Sequence, residues 1–270
     1  MQAIILAGGR GERMGEITKV IPKSLLPLPG GSILEYQLHL LQKLPISSIY
    51  VVTRHLSEEI KKGFKNYEIG FIHQEKPLTV LSAILSSQRY VKERFLVLHG
   101  DNYISHDISY LTKSDEDNVL LGNGLDTGCY ILDPKIFHLI KGIIYKNQEA
   151  GLQDLFKIIF KKIRFVEIKG WRKNINTPQD LLDVNFEILR DWSGNFHLNS
   201  ESGYYSKSCL SWRHKNSKII DSNIGPFVTI SENVQIISSR VSYSVILPNS
   251  RIIEKEVENS IVIGDNLFQV

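Results

Sequence analysis

Over the first hundred residues, apolar runs alternate with helically spaced segments. Gln2–Ala7 is a continuous apolar strand, and Ile33–Lys43 sets Leu34, Leu38 and Leu41 on one side at helical spacing. Ser48–Thr53 is short and β-branched. Ser57–Phe64 reads as a helix with Ser57 as N-cap and Glu58 and Glu59 in its first turn. A strand at Glu68–His73, a helix at Val80–Tyr90 and a strand at Phe95–His99 follow. The alternation predicts an α/β fold, a Rossmann-like, mostly parallel sheet with flanking helices. In such sheets the ligand lies outside the carboxyl ends of the strands.

From about Ser217 the helical spacing disappears. Ile224, Ile230 and Ile236 fall six apart, and Val228 and Val234 keep the same interval, with Gly225-Pro226, Ser231-Glu232-Asn233 and Ser238-Ser239 between them. A hexapeptide period predicts a short parallel β-helix, each turn burying its apolar residues against the next. The expected organisation is therefore a first domain over residues 1–190, an aromatic and polar linker or docking segment over 191–216 (Trp192, Phe196, Tyr204, Tyr205, Trp212), and a β-helix over 217–270.

Composition narrows this only slightly. The chain of 270 residues is 42% hydrophobic and 23% charged, ordinary values for a globular protein. A formal charge of +3 gives no case for nucleic acid, which requires a concentrated basic face. The densest basic cluster, Lys157, Lys161, Lys162 and Arg164, reads as a solvated helix face. No apolar run reaches membrane-spanning length, so no membrane partner is expected. No charged leader precedes the first strand, and Cys129 and Cys209 stand isolated, without metal-site spacing. Both point to a cytoplasmic location and buried thiols.

The chemistry sits next to the first strand. Leu6-Ala7-Gly8-Gly9-Arg10-Gly11 is a glycine-rich loop, followed by Arg13 and by Lys23 in Pro22-Lys23-Ser24-Leu25-Leu26-Pro27. Glycines let successive amides approach one phosphate, and fixed cations strengthen the hydrogen bonds to a polyanion. The loop lacks the G-x-x-x-x-G-K pattern of a P-loop, and Met14 stands where a dinucleotide fingerprint needs its third glycine. Gly100-Asp101-Asn102 follows the Phe95–His99 strand, which places it at the same sheet edge.

The pair L-A-G-G-R-G-E-R-M and P-K-S-L-L-P-L resembles the N-terminal signature of the sugar-1-phosphate nucleotidyltransferases. These include glucose-1-phosphate thymidylyltransferases, UDP-sugar pyrophosphorylases and mannose-1-phosphate guanylyltransferases. The resemblance implies nucleotidyl transfer: a sugar-1-phosphate oxygen attacks the α-phosphorus of a nucleoside triphosphate and pyrophosphate leaves. It implies that Leu6 to Gly11, with Gly100 and Gln74, bind the nucleotide, that Arg13 holds the outer phosphates, and that Lys23 serves the α-phosphate or the incoming phosphate. Asp101 matches the family's Mg²⁺-binding aspartate. A second ligand is implied in Trp171-Arg172-Lys173-Asn174-Ile175-Asn176-Thr177-Pro178, where Asn174 stands in place of aspartate and Asn176 is the alternative. Thr177-Pro178 is also a good helix start for Gln179–Leu189. Many members carry a left-handed β-helix after the catalytic domain, which makes that handedness the expectation here.

The acceptor side departs from the family. Asp126-Thr127-Gly128-Cys129-Tyr130 resembles an N-T-G-I-Y segment, with Asp126 replacing asparagine. Between Asp101 and Asp126 the family usually carries a much longer insertion with an E-K-P motif; here Glu75-Lys76-Pro77 lies on the wrong side of Asp101. Leu78 replaces a glycine ahead of Thr79-Val80. Glu149, Leu152 and Asp154 match an E-x-x-L-T-D spacing, so Asp154 is either an acceptor-pocket residue or a helix-start charge. Three readings follow: an NDP-sugar-forming enzyme, a non-catalytic nucleotide-sugar-binding regulator, or a transferase with a small non-hexose phosphate acceptor. The uncovered β-helix edges predict a homo-oligomer.

Overall fold

The computed structural model describes every residue except 77, 114–116, 123–124, 160–161 and 193–201. Pro77, Lys161 and Phe196, named above, lie outside the described residues. The chain forms two compact units. One comprises Met1–Arg10, Val20–Ser24 and Gln37–Arg172; the other comprises Gly11–Lys19, Leu25–Tyr36 and Lys173–Val270.

The first unit is built on a seven-stranded sheet. Its strands are β1 (Gln2–Leu6), β2 (Ile49–Thr53), β3 (Gly70–His73), β4 (Phe95–His99), β5 (Asp117–Gly122), β6 (Leu125–Leu132) and β7 (Ile163–Glu167), in the order β7-β5-β6-β4-β1-β2-β3. Within this sheet β6 runs antiparallel to both its neighbours, and the other pairings are parallel. The sheet is thus mostly parallel, as the alternation predicts. Strands β1 and β4 are apolar along nearly their whole length, which is what burial on both faces selects. One core cluster joins Ile4, Phe95 and Val97 of the sheet to Leu81 and Ile84 of the Val80–Ser86 helix. It also takes in Phe137 and Ile140 of the Ile136–Lys146 helix and Leu155 and Ile159 of the Leu152–Ile159 helix.

Two element boundaries depart from expectation. Ser57 is not the cap of its helix: Leu56 holds that position at φ 49°, and no side chain bonds there. The backbone bridge between Arg54 and Leu56 forms a tight turn that shifts the helix start by one residue. The third helix ends at Ser86, because the Ser87 hydroxyl donates to the Ile84 carbonyl at 2.7 Å and closes the last turn.

The second unit contains the Pro178–Arg190 helix and the parallel β-helix. Thr177 caps the helix in a reciprocal box with Asp180, Pro178 occupying the first turn. The β-helix begins earlier than its hexapeptide texture suggests, at Ser211, and has three faces. Partner registers such as Ser211↔Val228 and Val228↔Ser244 give coils of 17 and then 16 residues, short of three full hexapeptides. The corners explain the saving. Leu210, Phe227, Tyr243 and Asn259 occupy one corner and Asp221, Ser238 and Glu254 another, all at positive φ, so each bend is made in few residues. Inside, Ile219, Ile236 and Ile252 stack on one face and Ile224, Val241 and Val257 on another. Antiparallel strands Gly203–Ser206 and Asn266–Gln269 cover both edges of the third face. Phe186 of the helix packs against Phe227 and Tyr243 at ring distances of 5.3 and 5.7 Å.

Candidate functional site

Strand β1 pairs with β2 on one side and β4 on the other, so the chain leaves it in opposite directions at the crevice between β1 and β4. That is the position where open α/β sheets bind ligands. Leu6 and His99 are register partners, and Gly100 N–H donates to the Leu6 carbonyl at 2.9 Å. A Cβ on Gly100 would lie 2.6 Å from Leu6 O and 3.0 Å from Ala7 Cα, so only glycine permits this approach. A Cβ on Gly9, by contrast, would meet no atom within 4 Å. At this edge one glycine backbone is packed, at Gly100, and one is open, at Gly9.

Lys23 reaches this crevice. Its Nζ donates to Asp101 Oδ2 at 2.6 Å, with side-chain exposures of 14% and 24%. The other oxygen, Asp101 Oδ1, is buried without a hydrogen-bond partner among the described residues. His99 Nε2, Asn102 Oδ1 and Gln37 Oε1 share that condition. Gln37 uses its amide nitrogen to hold the His99 and Asn102 carbonyls at 2.7 and 3.1 Å, which fixes the backbone around Asp101. Burial pulls the His99 imidazole below its usual range, against the opposing pull of Asp101 and Asp126, and so favours its neutral form. Leaving buried polar groups unmade costs about 1–3 kcal/mol each, a cost that structures sustain where a ligand completes the set.

Gln74 is buried, not solvated, at the end of β3. Its amide nitrogen donates to Thr79 O at 3.0 Å and Ser82 Oγ at 2.9 Å, so both hydrogens are committed and its carbonyl oxygen faces Gly8. Asp126 is likewise engaged: Oδ1 accepts from Gly128 N–H at 2.7 Å and Oδ2 from Tyr130 O–H at 2.5 Å. The first bond supports the positive φ of Gly128, whose backbone rests on His99 and Asn102. Asp154 accepts from Gly151 N–H at 3.0 Å; that bond comes first among the causes holding its carboxyl below the usual range. Its observed partners are those of a helix-start carboxylate. Cys129 is buried, and burial pushes its thiol up. Cys209 is exposed, against the expectation of two buried thiols.

The remaining candidates belong to the second unit. Gly11 sits at φ 67°, its carbonyl accepting from Thr18 Oγ1 at 2.9 Å. Arg13 Nη2 donates to Asn176 Oδ1 at 2.8 Å, so the two residues implied as phosphate clamp and metal ligand touch each other. Asn176 N–H donates to Asp180, which Lys173 also pairs at 3.0 Å. Burial pushes Asp180 up, but its hydrogen bonds from Thr177, Lys173 and the Asn176 and Thr177 amides outweigh that and leave the carboxyl low. Asn174 ends the short strand Arg172–Asn174 just before this segment.

Residues 3–117 match the family model of the MobA-like NTP transferase domain. Over 223 residues the chain is 29% identical to a protein of Methanocaldococcus jannaschii named bifunctional protein GlmU, covering 70% of this chain and 54% of that one. It is 34% identical over 125 residues to the D-glycero-alpha-D-manno-heptose 1-phosphate guanylyltransferase of Campylobacter jejuni, covering 45% of this chain and 56% of that one. The chain thus spans about half the length of these relatives. In fold it resembles a structure described as a glucose-1-phosphate thymidylyltransferase from Bacillus anthracis, with a TM-score of 0.63 and 24% identity over 74% of this chain and 100% of that one. Among the described residues, no helix is long and apolar enough to cross a membrane.

Two side chains at this edge carry no motif and are not found by sequence reasoning: His99, the last residue of β4, and Arg54, the first residue after β2. The available signal was position alone, since both stand at the carboxyl ends of parallel strands.

Proposed function

We propose that this protein transfers a nucleoside monophosphate from a nucleoside triphosphate to a sugar-1-phosphate, releasing pyrophosphate and forming an NDP-sugar. The observation that carries the reading is the Lys23–Asp101 pair at 2.6 Å, with a second Asp101 oxygen buried and unpartnered, beside the glycine-rich end of β1. In-line phosphoryl chemistry asks the protein mainly to align two anions and to neutralise charge. The amides from Ala7 to Arg10 receive the phosphates, and Lys23 supplies fixed positive charge. Asp101 Oδ1 fits a hard divalent cation such as Mg²⁺. When bound, such an ion neutralises phosphate charge. Among the described residues no group of three or more His, Cys, Asp or Glu could hold a metal.

On the acceptor side, Asp126, Gly128 and Asp154 remain the proposed contacts. Asp126 has both oxygens engaged, and this favours a small acceptor pocket, or a small phosphate ester in place of a hexose phosphate, as a second reading. We further propose a cytoplasmic homo-oligomer, to be checked by light scattering at micromolar concentration. The deciding experiment is pyrophosphate release with Mg²⁺ across a panel of triphosphates and phosphate acceptors. Release with a sugar-1-phosphate supports the principal reading, and release only with a small phosphate ester supports the second. Tight nucleotide-sugar binding without release with any acceptor would mark a regulator.

A further inference from the structure

One cation at the nucleotide edge has no assignment in the scheme above. Arg54 follows β2 directly and is half-buried. A Cβ placed on Gly8 would lie 3.5 Å from Arg54 Cβ, 3.6 Å from Arg54 N and 2.9 Å from Gln74 Oε1. Arg54, Gly8 and Gln74 thus meet at the carboxyl ends of three adjacent parallel strands. Elsewhere in the first unit, Lys23 is paired to Asp101 and Lys61 to Glu58. The Arg54 guanidinium has no hydrogen-bond or carboxylate partner among the described residues. Its backbone is held by the bridge to Leu56, whose φ of 49° costs a leucine roughly 1 kcal/mol or more.

The chemistry around it is one-sided. Both Gln74 amide hydrogens are committed to Thr79 O and Ser82 Oγ. Gln74 therefore presents only an acceptor toward Gly8, and a nucleobase arriving there would find its donors matched and its acceptors unmatched. A planar guanidinium with five N–H donors supplies what is missing, in a fork that suits carbonyl oxygens. We propose that Arg54 is a nucleotide-binding residue that donates to the acceptor atoms of the base, and that it biases this protein toward bases bearing a carbonyl oxygen. Guanine, uracil, thymine and cytosine all present one; adenine does not. The proposal rests on the triphosphate reading above and goes beyond it by assigning base selection to a residue outside the loop and outside Gln74.

The test measures binding of GTP, UTP, ATP and inorganic tripolyphosphate to the full chain by calorimetry, for wild type, Arg54→Ala and Arg54→Lys. In wild type, carbonyl-bearing triphosphates should bind more tightly than ATP. Arg54→Ala should weaken GTP or UTP roughly tenfold or more, the worth of a charge-assisted hydrogen bond, while leaving ATP and tripolyphosphate nearly unchanged. Arg54→Lys should not restore the loss, because an ammonium lacks the fork. Equal losses for GTP, ATP and tripolyphosphate, or full rescue by lysine, would make Arg54 a phosphate contact and overturn the base assignment. Unchanged binding in Arg54→Ala would overturn any nucleotide role for this residue while leaving the triphosphate reading standing. If wild type binds no triphosphate, both fall together. Nucleotide-free melting temperatures of the variants should match wild type, since the guanidinium has no hydrogen-bond or carboxylate partner among the described residues to lose.

Discussion

The β-helix and the crevice at the end of β1 and β4 treat buried polar atoms in opposite ways. In the β-helix, buried or half-buried serines close the ladder between coils. Ser239 Oγ donates to Ile237 O and accepts from Lys255 N–H, and Ser244 and Ser260 repeat the donor half of the arrangement one face on. Among the described residues of the β-helix, the buried hydroxyls left without a partner are those of Thr229 and Ser231. At the crevice, Gln37, His99, Asp101 and Asn102 each leave one buried polar atom without a partner among the described residues, all within one short stretch of space tied together by the Gln37 amide. The first region is built to be stable as it stands. The second is stabilised by its neighbours and left incomplete, the condition the proposed binding site requires.

The sharpest way to break this contrast is Asp101→Ala. It should abolish metal-dependent pyrophosphate release while the protein still folds, because a part-exposed ion pair contributes only about 0–1 kcal/mol to stability. Residual turnover near wild type would show that the crevice is misassigned. Lys23→Ala comes next. It should lower kcat about 10²–10³-fold, roughly 3–4 kcal/mol of transition-state stabilisation, the range seen when one main charge-stabilising donor is removed. A change confined to KM would make Lys23 a uniform binding group instead.

On the other side of the comparison stands Ile236, fully buried between Ile219 and Ile252 in the β-helix stack. Ile236→Ala should cost about 2–5 kcal/mol, from lost transfer energy and the cavity left behind. Chemical denaturation should record that loss, with kcat unchanged at temperatures well below the melt. A matching fall in kcat would mean that the scaffold and the crevice are coupled.

What the sequence discloses follows the same division. Strand β4 matches its expected span, Phe95–His99, because an unbroken apolar run has no other stable place than a buried parallel sheet. The glycine loop and Gly100-Asp101 were legible because each lies at the end of such a run. The β-helix was legible from Ile224, Ile230 and Ile236, but not its first coil. There Ser211 and Arg213, not isoleucine or valine, stand in register with the interior Val228 and Ile230, so the repeat is not written in the first coil's apolar pattern. The coil length was not legible either. It depends on Phe227, Tyr243 and Glu254 taking left-handed backbone angles, which no propensity assigns to them. Gln74, Asp126 and Arg54 mark the limit of sequence reading at the site. Their residue types fit several roles, and only the partners of each side chain, or their absence among the described residues, separate a committed group from an available one.

The smallest predicted effect concerns pH and separates the two units by its window. Burial pulls His106 below its ordinary range, opposed by Asp107. An imidazole whose folded pKa is depressed binds fewer protons folded than unfolded, so stability falls as pH drops below about 6.5 and is unaffected well above it. Asp180, in the second unit, is also held low, but for a carboxylate that means stability present above about 4 and lost only as pH falls further. Between pH 7.5 and 5.5 the first unit should therefore weaken while this second contribution stays constant. His106 is only half-buried, so its share is under about 1 kcal/mol after solvent screening. Urea denaturation of wild type and His106→Gln at both pH values isolates it, since every other titrating group cancels in the double difference. The variant should show the shallower loss toward pH 5.5. If the two slopes coincide, His106 takes up its proton as readily in the folded protein as in the unfolded chain, and the packing of Gly170 against its ring does not shield it.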